Sequence, residues 1–178
     1  MPEWVEPEIQ DQYTFNSSTQ LHALISSTPA SHDWVVSNFG ETELISKDGE
    51  FWKGMDFDIH VVAVTKWNSK IYKVISKNIH LVDGTRTQFF LVRFNEKRVA
   101  EEVCKLGLAG DVAECADSLN IMVNHGKVNA KYFSGCYAGY NEEKNVSMYS
   151  QTIISTEIEL NSEFSVTTDT ITEFIEVD

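Results

Sequence analysis

The chain has 178 residues, of which 42% are hydrophobic and 11% aromatic, and this composition predicts one folded domain rather than a disordered chain. No apolar run reaches the length of about 18 residues that a membrane-spanning helix needs, and residues 1–10 predict no signal peptide. Three cysteines without a C-x-x-C spacing indicate neither a disulfide framework nor a zinc site, so we expect a reducing, cytoplasmic setting.

The net charge of −13 is distributed unevenly along the chain. All fourteen Lys and Arg residues lie between Lys47 and Lys144, and each flank of this segment carries seven acids and no base. Both ends are therefore acidic, whereas the centre is close to neutral. A one-sided charge distribution of this kind steers partners of opposite charge toward one surface.

The region before residue 55 predicts only short elements. Because this region begins with two prolines, residues 1–15 are expected to form an irregular N-terminal arm. Apolar residues at helical spacing predict a short helix over 18–27, and residues 34–36 and 43–45 are expected as short strands.

The clearest structural signal is a period of two that begins at Met55. Apolar residues occupy the odd positions from Met55 to Ala63 and alternate with Asp56, Asp58 and His60, which is typical of a strand with one buried face. Two further strands, over 71–82 and 87–94, complete an expected antiparallel meander over 55–94.

The register of the first two strands depends on the length of the turn near residue 68. A three-residue loop over 68–70 pairs Phe57 with Leu81 and Ile59 with Ile79, so apolar side chains face each other. A two-residue turn would instead pair Phe57 with His80. Because a slip of one residue turns every side chain to the other face, the three-residue loop is preferred.

The segment after the meander predicts a helical pair over about 96–119. Asn95 is suited to an N-cap, apolar residues follow at helical spacing, and Asp111 is suited to begin a second helix. Renewed alternation over 148–178 predicts one or two more strands. The predicted fold is therefore α+β, a single domain over 1–178 whose helical pair packs on one face of an antiparallel sheet.

Two histidines and a carboxylate fall close together in the preferred register. Asp58 lies opposite His80, and His60 is the next residue on that face. Imidazole and carboxylate suit Zn²⁺ or Fe²⁺, so these three residues are candidate metal ligands. A polar face with a cross-strand Asp–His pair is the favoured interpretation, and no metal or other cofactor is predicted.

A basic and aromatic segment over 66–98 supports an alternative hypothesis. Eight bases and two acids occur there among several aromatic rings, which is typical of proteins that bind single-stranded DNA or RNA. The predicted contact residues are Lys66, Tyr72, Lys73, Phe89 and Arg93. The competing interpretation is a solvated strand face whose rings belong partly to the core.

Motifs of the common enzyme classes do not occur in the sequence, which has no phosphate-binding loop, no G-x-S-x-G and no H-E-x-x-H. Cys136 lies between two glycines, but a nucleophilic role would require a base such as His125 beside it. A structural cysteine is the favoured interpretation, and we expect a protein that is not an enzyme.

The favoured functional hypothesis uses the acidic ends. Immunity proteins of nucleases and phage inhibitors that mimic DNA present a negative surface to a basic partner. We expect a cytoplasmic inhibitor or accessory factor of this kind, of bacterial or phage origin, with no membrane contact and with a basic partner protein such as a nucleic-acid-processing enzyme. The predicted contact residues are Glu157, Glu159, Glu173 and Glu176. A virion or assembly subunit that self-associates through its sheet edges is the third hypothesis.

Overall fold

A computed structural model describes residues 7–11, 13–16, 29–39, 57–81, 84–112, 115–161 and 163–177. Within these ranges the chain forms nine strands and one short helix. The elements are β1 (Tyr13–Asn16), α1 (His32–Phe39), β2 (Phe57–Trp67), β3 (Lys70–Leu81), β4 (Gly84–Phe94), β5 (Ala100–Val112), β6 (Cys115–Asn124), β7 (Lys127–Asn141), β8 (Val146–Leu160) and β9 (Phe164–Val177).

Strands β2 to β9 form one antiparallel meander, in which each strand pairs with the next along the chain. β1 lies outside this order and pairs antiparallel with β6. β5 pairs with β4 from Ala100 to Ala109 and then with β6 over its last three residues. β5 therefore passes from a first sheet (β2–β5) to a second sheet (β5–β9, with β1).

The two sheets pack face to face around the larger hydrophobic core. Tyr72 and Phe89 of the first sheet belong to the same buried cluster as Ile121 and Ile158 of the second. At Gly107, near the point where β5 changes sheets, a Cβ atom would lie 2.9 Å from Leu119 Cδ1. A glycine at this position therefore allows the two sheets to approach closely.

Helix α1 covers the opposite face of the first sheet. Val35 of the helix packs in a second cluster with Ile75 and Phe90. Ser31 caps the helix, since its Oγ accepts a hydrogen bond of 3.2 Å from the backbone N–H of Trp34. The first sheet is therefore covered on both faces, which explains why β3 and β4 are buried along most of their length.

The predicted helical pair is wrong, and with it the α+β fold class, because residues 96–119 contain the β4–β5 turn, β5 and the start of β6. Asn95, the expected N-cap, instead closes that hairpin turn, where its Oδ1 accepts a 3.0 Å hydrogen bond from the N–H of Val99. From Asp117 to Val123, buried residues alternate with more exposed ones in β6, which is the period of a strand.

The preferred register of β2 and β3 is also wrong. The turn between them has two residues, Asn68 and Ser69, whose φ angles of 48° and 64° are those of a tight hairpin turn. A bulge after Val61 then shifts the register, so that Phe57 faces Ile79. The bulge restores the apolar pairing that the two-residue turn alone would lose.

The remaining predictions concern the N-terminal third of the chain. The strand expected over 34–36 is wrong, because these residues lie in α1. The helix expected over 18–27 and the strand expected over 43–45 lie outside the described residues. In the described part of the chain, no helix is long and apolar enough to cross a membrane.

Candidate functional site

The last three strands share an exposed region, called here the arm and defined as residues 133–141, 146–155 and 169–177, of which only residues 133–136 still pair with β6. Not one residue of the arm is buried, whereas the same strands contribute Ala130 and Ile158 to the core. At about 3.3 Å per residue, the arm is about 30 Å long. A sheet layer that is accessible on both faces offers an extended surface to another molecule.

Cross-strand side-chain contacts stabilise the arm. Tyr137 and Tyr149 face each other on β7 and β8, and their rings pack edge to face with centroids 5.7 Å apart. Between β8 and β9, the hydroxyl oxygens of Thr152 and Thr172 lie 3.3 Å apart. Pairs of this kind are the usual source of stability in a sheet that lacks a second layer.

One face of the arm carries two rows of apolar side chains, called here the apolar rows, which each cross all three strands. The rows are Phe133, Ile153 and Ile171, and then Tyr137, Tyr149 and Ile175. Between them lies a row of Gly135, Gln151 and Glu173. Ile171 is 50% exposed and Ile175 is 40% exposed. Neighbouring rows of exposed apolar side chains are typical of a site of interaction.

β9 is the outer strand of the second sheet. It pairs with β8 from Phe164 to Val177, and no described strand pairs with its other side. Every second residue of such an edge strand directs its backbone N–H and C=O groups outward. On the face opposite the apolar rows, Phe174 is 70% exposed and is the most exposed large apolar side chain among the described residues.

Two of the four glutamates predicted to bind a partner lie at the base of the arm. Glu157 and Glu159 share Lys127, whose Nζ is 3.0 Å from one carboxylate and 3.5 Å from the other. The hydrogen bond to Glu157 is the main reason that the pKa of Lys127 is raised. These two acids are therefore partly neutralised within the chain.

The other two glutamates lie further along the arm, on opposite faces. Glu176 pairs with Lys144 of the turn between β7 and β8, with Nζ 2.9 Å from Oε1. Glu173 lies on the face of the apolar rows and forms no ion pair with a described base, and Asp169 on the same face also forms none. Glu173 and Asp169 are thus the acids of the arm whose charge is available to a partner.

The aromatic residues of the nucleic-acid hypothesis lie in the larger core. Tyr72 and Phe89 are fully buried, and the hydroxyl of Tyr72 donates a 3.4 Å hydrogen bond to the carbonyl oxygen of Asn161. A ring that is enclosed by other side chains has no free face on which a base could stack.

The basic residues of the same hypothesis are separated from one another. Lys73 is buried with its Nζ 4.6 Å from the centre of the Phe94 ring. Arg93 is buried and pairs with Glu102 at 3.1 Å. Only Lys66 of the five predicted contact residues is exposed. The structure therefore does not bring these residues together on an accessible face.

The candidate metal ligands divide into a pair and a separate histidine. His80 Nε2 lies 2.8 Å from Asp58 Oδ2, so the Asp–His contact is present, although the residue opposite Asp58 is Asn78 and not His80 as predicted. His60 is buried, and burial lowers its pKa, against a smaller opposite effect from Asp58. No group of three or more potential ligands that could hold a metal ion occurs among the described residues.

Sequence reasoning missed a disulfide between β6 and β7. Cys115 and Cys136 are directly paired across the two strands and are bonded to each other, contrary to the expectation of no disulfide. Both cysteines are equally distant from the turn at His125 and Gly126, and this symmetry is the sequence signal that could have revealed the pair. The disulfide lies at the first residue of β6. Beyond this point β7 continues to Asn141 without β6 beside it.

A buried carboxylate that joins the two sheets was also missed. Asp117 of β6 accepts a 3.2 Å hydrogen bond from Arg86 Nη2 of β4 and a 2.8 Å hydrogen bond from the hydroxyl of Tyr132 of β7. A tyrosine hydroxyl is protonated at neutral pH, and burial raises the pKa of Tyr132 further. The arrangement joins β7, one of the three strands of the arm, to β6 and, through Asp117, to β4.

Comparison of the chain with protein-family models, with curated proteins and with solved structures finds no match. Function is therefore inferred from the chemistry of the arm.

Proposed function

We propose that this protein is a non-enzymatic binding protein that engages a basic partner protein through the arm. The observation that carries the proposal is the composition of β9, the open edge of the arm, which has three acids and no base. The exposed apolar side chains beside these acids supply contact area, and the acids supply selectivity for positive charge.

Electrostatics favours a basic protein over a nucleic acid as the partner. The last 34 residues carry seven acids and no base, so a polyanion approaching the arm would be repelled. A basic surface would instead be attracted and would associate faster. An inhibitor or immunity-type factor of bacterial or phage origin fits this chemistry, because a nucleic-acid-processing enzyme carries a basic surface for its own substrate.

The cytoplasmic location stays a prediction, and the disulfide between Cys115 and Cys136 bears on it. Disulfides persist in oxidising compartments and are rare in the cytoplasm. The redox state of these two cysteines in the cell therefore tests the location.

Calorimetric titration with a short lysine oligomer tests the proposal. We expect binding that weakens as salt is added, because the contact is electrostatic. A variant carrying Asp169→Lys and Glu173→Lys should bind about tenfold more weakly or not at all, since it replaces attraction with repulsion.

The matched control reverses two exposed acids outside the arm, Glu8→Lys and Glu96→Lys, and so changes the net charge equally. This control should bind within about twofold of the wild type, since Glu8 adjoins the bridge from Ile9 to β2 and Glu96 lies in the β4–β5 turn, both at the first sheet and outside the arm. Equal loss in both variants would mean that net charge alone causes binding, and the proposal would be wrong.

The apolar rows favour a second candidate function, that of an assembly or virion subunit. In this case the arms of two copies would pack face to face and cover Ile171, Ile175 and their neighbours, which are exposed in the single chain. Burial of apolar surface would then supply most of the free energy of association.

Sedimentation velocity over a range of protein concentrations tests this candidate. Assembly predicts a concentration-dependent oligomer that Ile171→Asp converts to a monomer, because the substitution introduces a charge at the interface. A wild-type protein that sediments as a monomer at every concentration would exclude this function.

A further inference from the structure

We propose that the outer edge of β9 accepts an extended, basic segment of the partner as an additional antiparallel β-strand. This inference rests on the proposed function, which requires only that the arm binds a basic partner, and it adds the mode of binding. The main chain of the segment would pair with the outward N–H and C=O groups of β9, and its side chains would contact both faces of the arm.

The backbone of β9 is suited to receive a strand along its whole length. Its pairing with β8 runs from Phe164 to Val177 without a bulge, and its 14 residues include neither proline nor glycine. Edge strands that must stay unpaired are usually short, bulged or interrupted by proline. β9 has none of these protections, so its outer hydrogen-bonding groups form a continuous and regular edge.

The charges of β9 favour a basic strand and disfavour a second copy of this chain. The ionisable residues of β9 are Asp169, Glu173 and Glu176, all of one sign. If the β9 strands of two copies paired edge to edge, acids would lie near acids, and β9 itself supplies no base to offset them. Like charges opposite each other destabilise a strand pair, whereas opposite charges stabilise it.

The side chains of β9 also define the pattern of the incoming strand. On the face of the apolar rows, Glu173 lies between Ile171 and Ile175, so a matching strand has a basic residue between two apolar residues at alternate positions. On the other face, Thr172 and Phe174 favour a β-branched and an aromatic residue. The expected partner segment therefore alternates on both faces and is positively charged near its middle.

A synthetic peptide with this pattern provides the probe. The sequence Val-Thr-Val-Tyr-Lys-Thr-Ile-Thr-Lys, with blocked ends, sets its first lysine opposite Glu173 and its last opposite Asp169 in an antiparallel pair. We expect the peptide to bind with a measurable affinity that salt weakens. The same peptide with glutamate in place of both lysines should bind about tenfold more weakly or not at all.

Two backbone-methylated forms of the peptide distinguish strand addition from contact through side chains alone. N-methylation at every second residue removes the N–H donors from one edge of the peptide, and methylation at the intervening residues removes them from the other edge. Strand addition predicts that one form loses binding and the other retains it. If both forms bind as well as the parent, the proposed strand addition is wrong.

Two substitutions in the protein locate the contact. Glu173→Lys should weaken binding of the parent peptide about tenfold, whereas Glu96→Lys, an exposed acid in the β4–β5 turn, should leave it unchanged. Hydrogen exchange of both variants without peptide checks that β9 is intact in each.

The experiments separate failure of this inference from failure of the proposed function. If the parent peptide binds, Glu173→Lys weakens it and the two methylated forms are equivalent, the arm binds basic partners without adding a strand. If neither the peptide nor a lysine oligomer binds, both proposals fail. Strand addition is supported only if one methylated form alone loses binding and the outward amides of β9 exchange more slowly in the complex.

Discussion

Glu173 of β9 faces Gln151 of β8 across the middle of the arm, between the two apolar rows. No described base pairs with this carboxylate, and no described strand lies beyond it. A charge in this position is accessible from the outer edge of the sheet and is flanked by apolar surface. The arm therefore combines the two properties that a selective protein contact needs, apolar area and an available charge.

Replacement of Gly126 should destabilise the fold. This glycine lies in the β6–β7 turn with a φ of 79°, and a Cβ there would lie 2.7 Å from Cζ2 of Trp67 at the end of β2. We expect Gly126→Ala to lower the free energy of unfolding by about 1–3 kcal/mol in denaturant titrations. Gly135→Ala is the control, because its nearest contact is 3.6 Å away, and it should be neutral or slightly stabilising.

Removal of the carboxylate of Asp117 should destabilise the protein more than removal of the Tyr132 hydroxyl that donates to it. Asp117→Ala leaves the partly buried Arg86 without its buried counter-charge, so we expect a loss of about 2–4 kcal/mol in the free energy of unfolding. Tyr132→Phe removes one hydrogen bond and should cost about 1 kcal/mol. Thermal or denaturant unfolding measures both, and a smaller loss for Asp117→Ala than for Tyr132→Phe would contradict this role.

The redox state of the cysteines should be visible in a thiol count. If Cys115 and Cys136 are bonded in the cell, alkylation in denaturant during lysis labels one thiol, that of Cys104. Reduction should raise the count to three and lower the free energy of unfolding by about 3 kcal/mol. Three thiols before reduction would show that the disulfide is absent in the cell, as the predicted cytoplasmic location requires.

Stability should fall as the solution becomes acidic because of His60. Burial lowers the pKa of His60 in the folded protein below the value of 6.5 expected when the chain unfolds, with Asp58 opposing and His80 reinforcing the shift. The unfolded chain therefore binds the proton first, and stability is lost as the pH falls below 6.5 toward the lower folded pKa.

Denaturant unfolding between about pH 7 and pH 5 measures this dependence. His60→Gln should flatten the profile, whereas His125→Asn serves as the control for the loss of one histidine at an exposed position. A profile that His60→Gln leaves unchanged would mean that other groups cause the pH dependence.

The period of two predicted β2 and β8 correctly, because apolar residues alternate with polar ones in their sequences. The alternation of Ile154, Ile158 and Leu160 marks β8, and that of Phe57 and Ile59 marks the start of β2. The register between β2 and β3 could not be predicted, because the bulge in β2 leaves no mark in the local sequence.

β5 resembled a helix for a physical reason. The strand is packed on both faces, with Val103 against one core and Cys104 and Leu106 against the other, so it has no single apolar period. The bulge at Leu106 then places Ala109 three residues after another core residue, which is also a helical spacing. In β6 the first inward residue is Asp117, whose polarity concealed the alternation that follows.

Strand pairing decides which of the predicted site residues are exposed and which form ion pairs. This pairing could not be predicted from the sequence alone. The sequence identified Glu173 as a candidate, but it could not separate this acid from Glu157 and Glu159, which share Lys127. It also could not indicate that Tyr72 and Phe89 face the core, since their orientation depends on the register. The open edge of β9 is a property of the topology and has no signature in composition.

Backbone amide chemical shifts of the protein, recorded by NMR during titration with the lysine-containing peptide, test the central claim most directly. The account predicts that the largest changes fall within residues 169–177 and the facing residues of β8, and that Glu173→Lys suppresses them. Changes that are spread over the whole surface, or that concentrate at the β2 edge of the first sheet, would contradict a binding site on the arm.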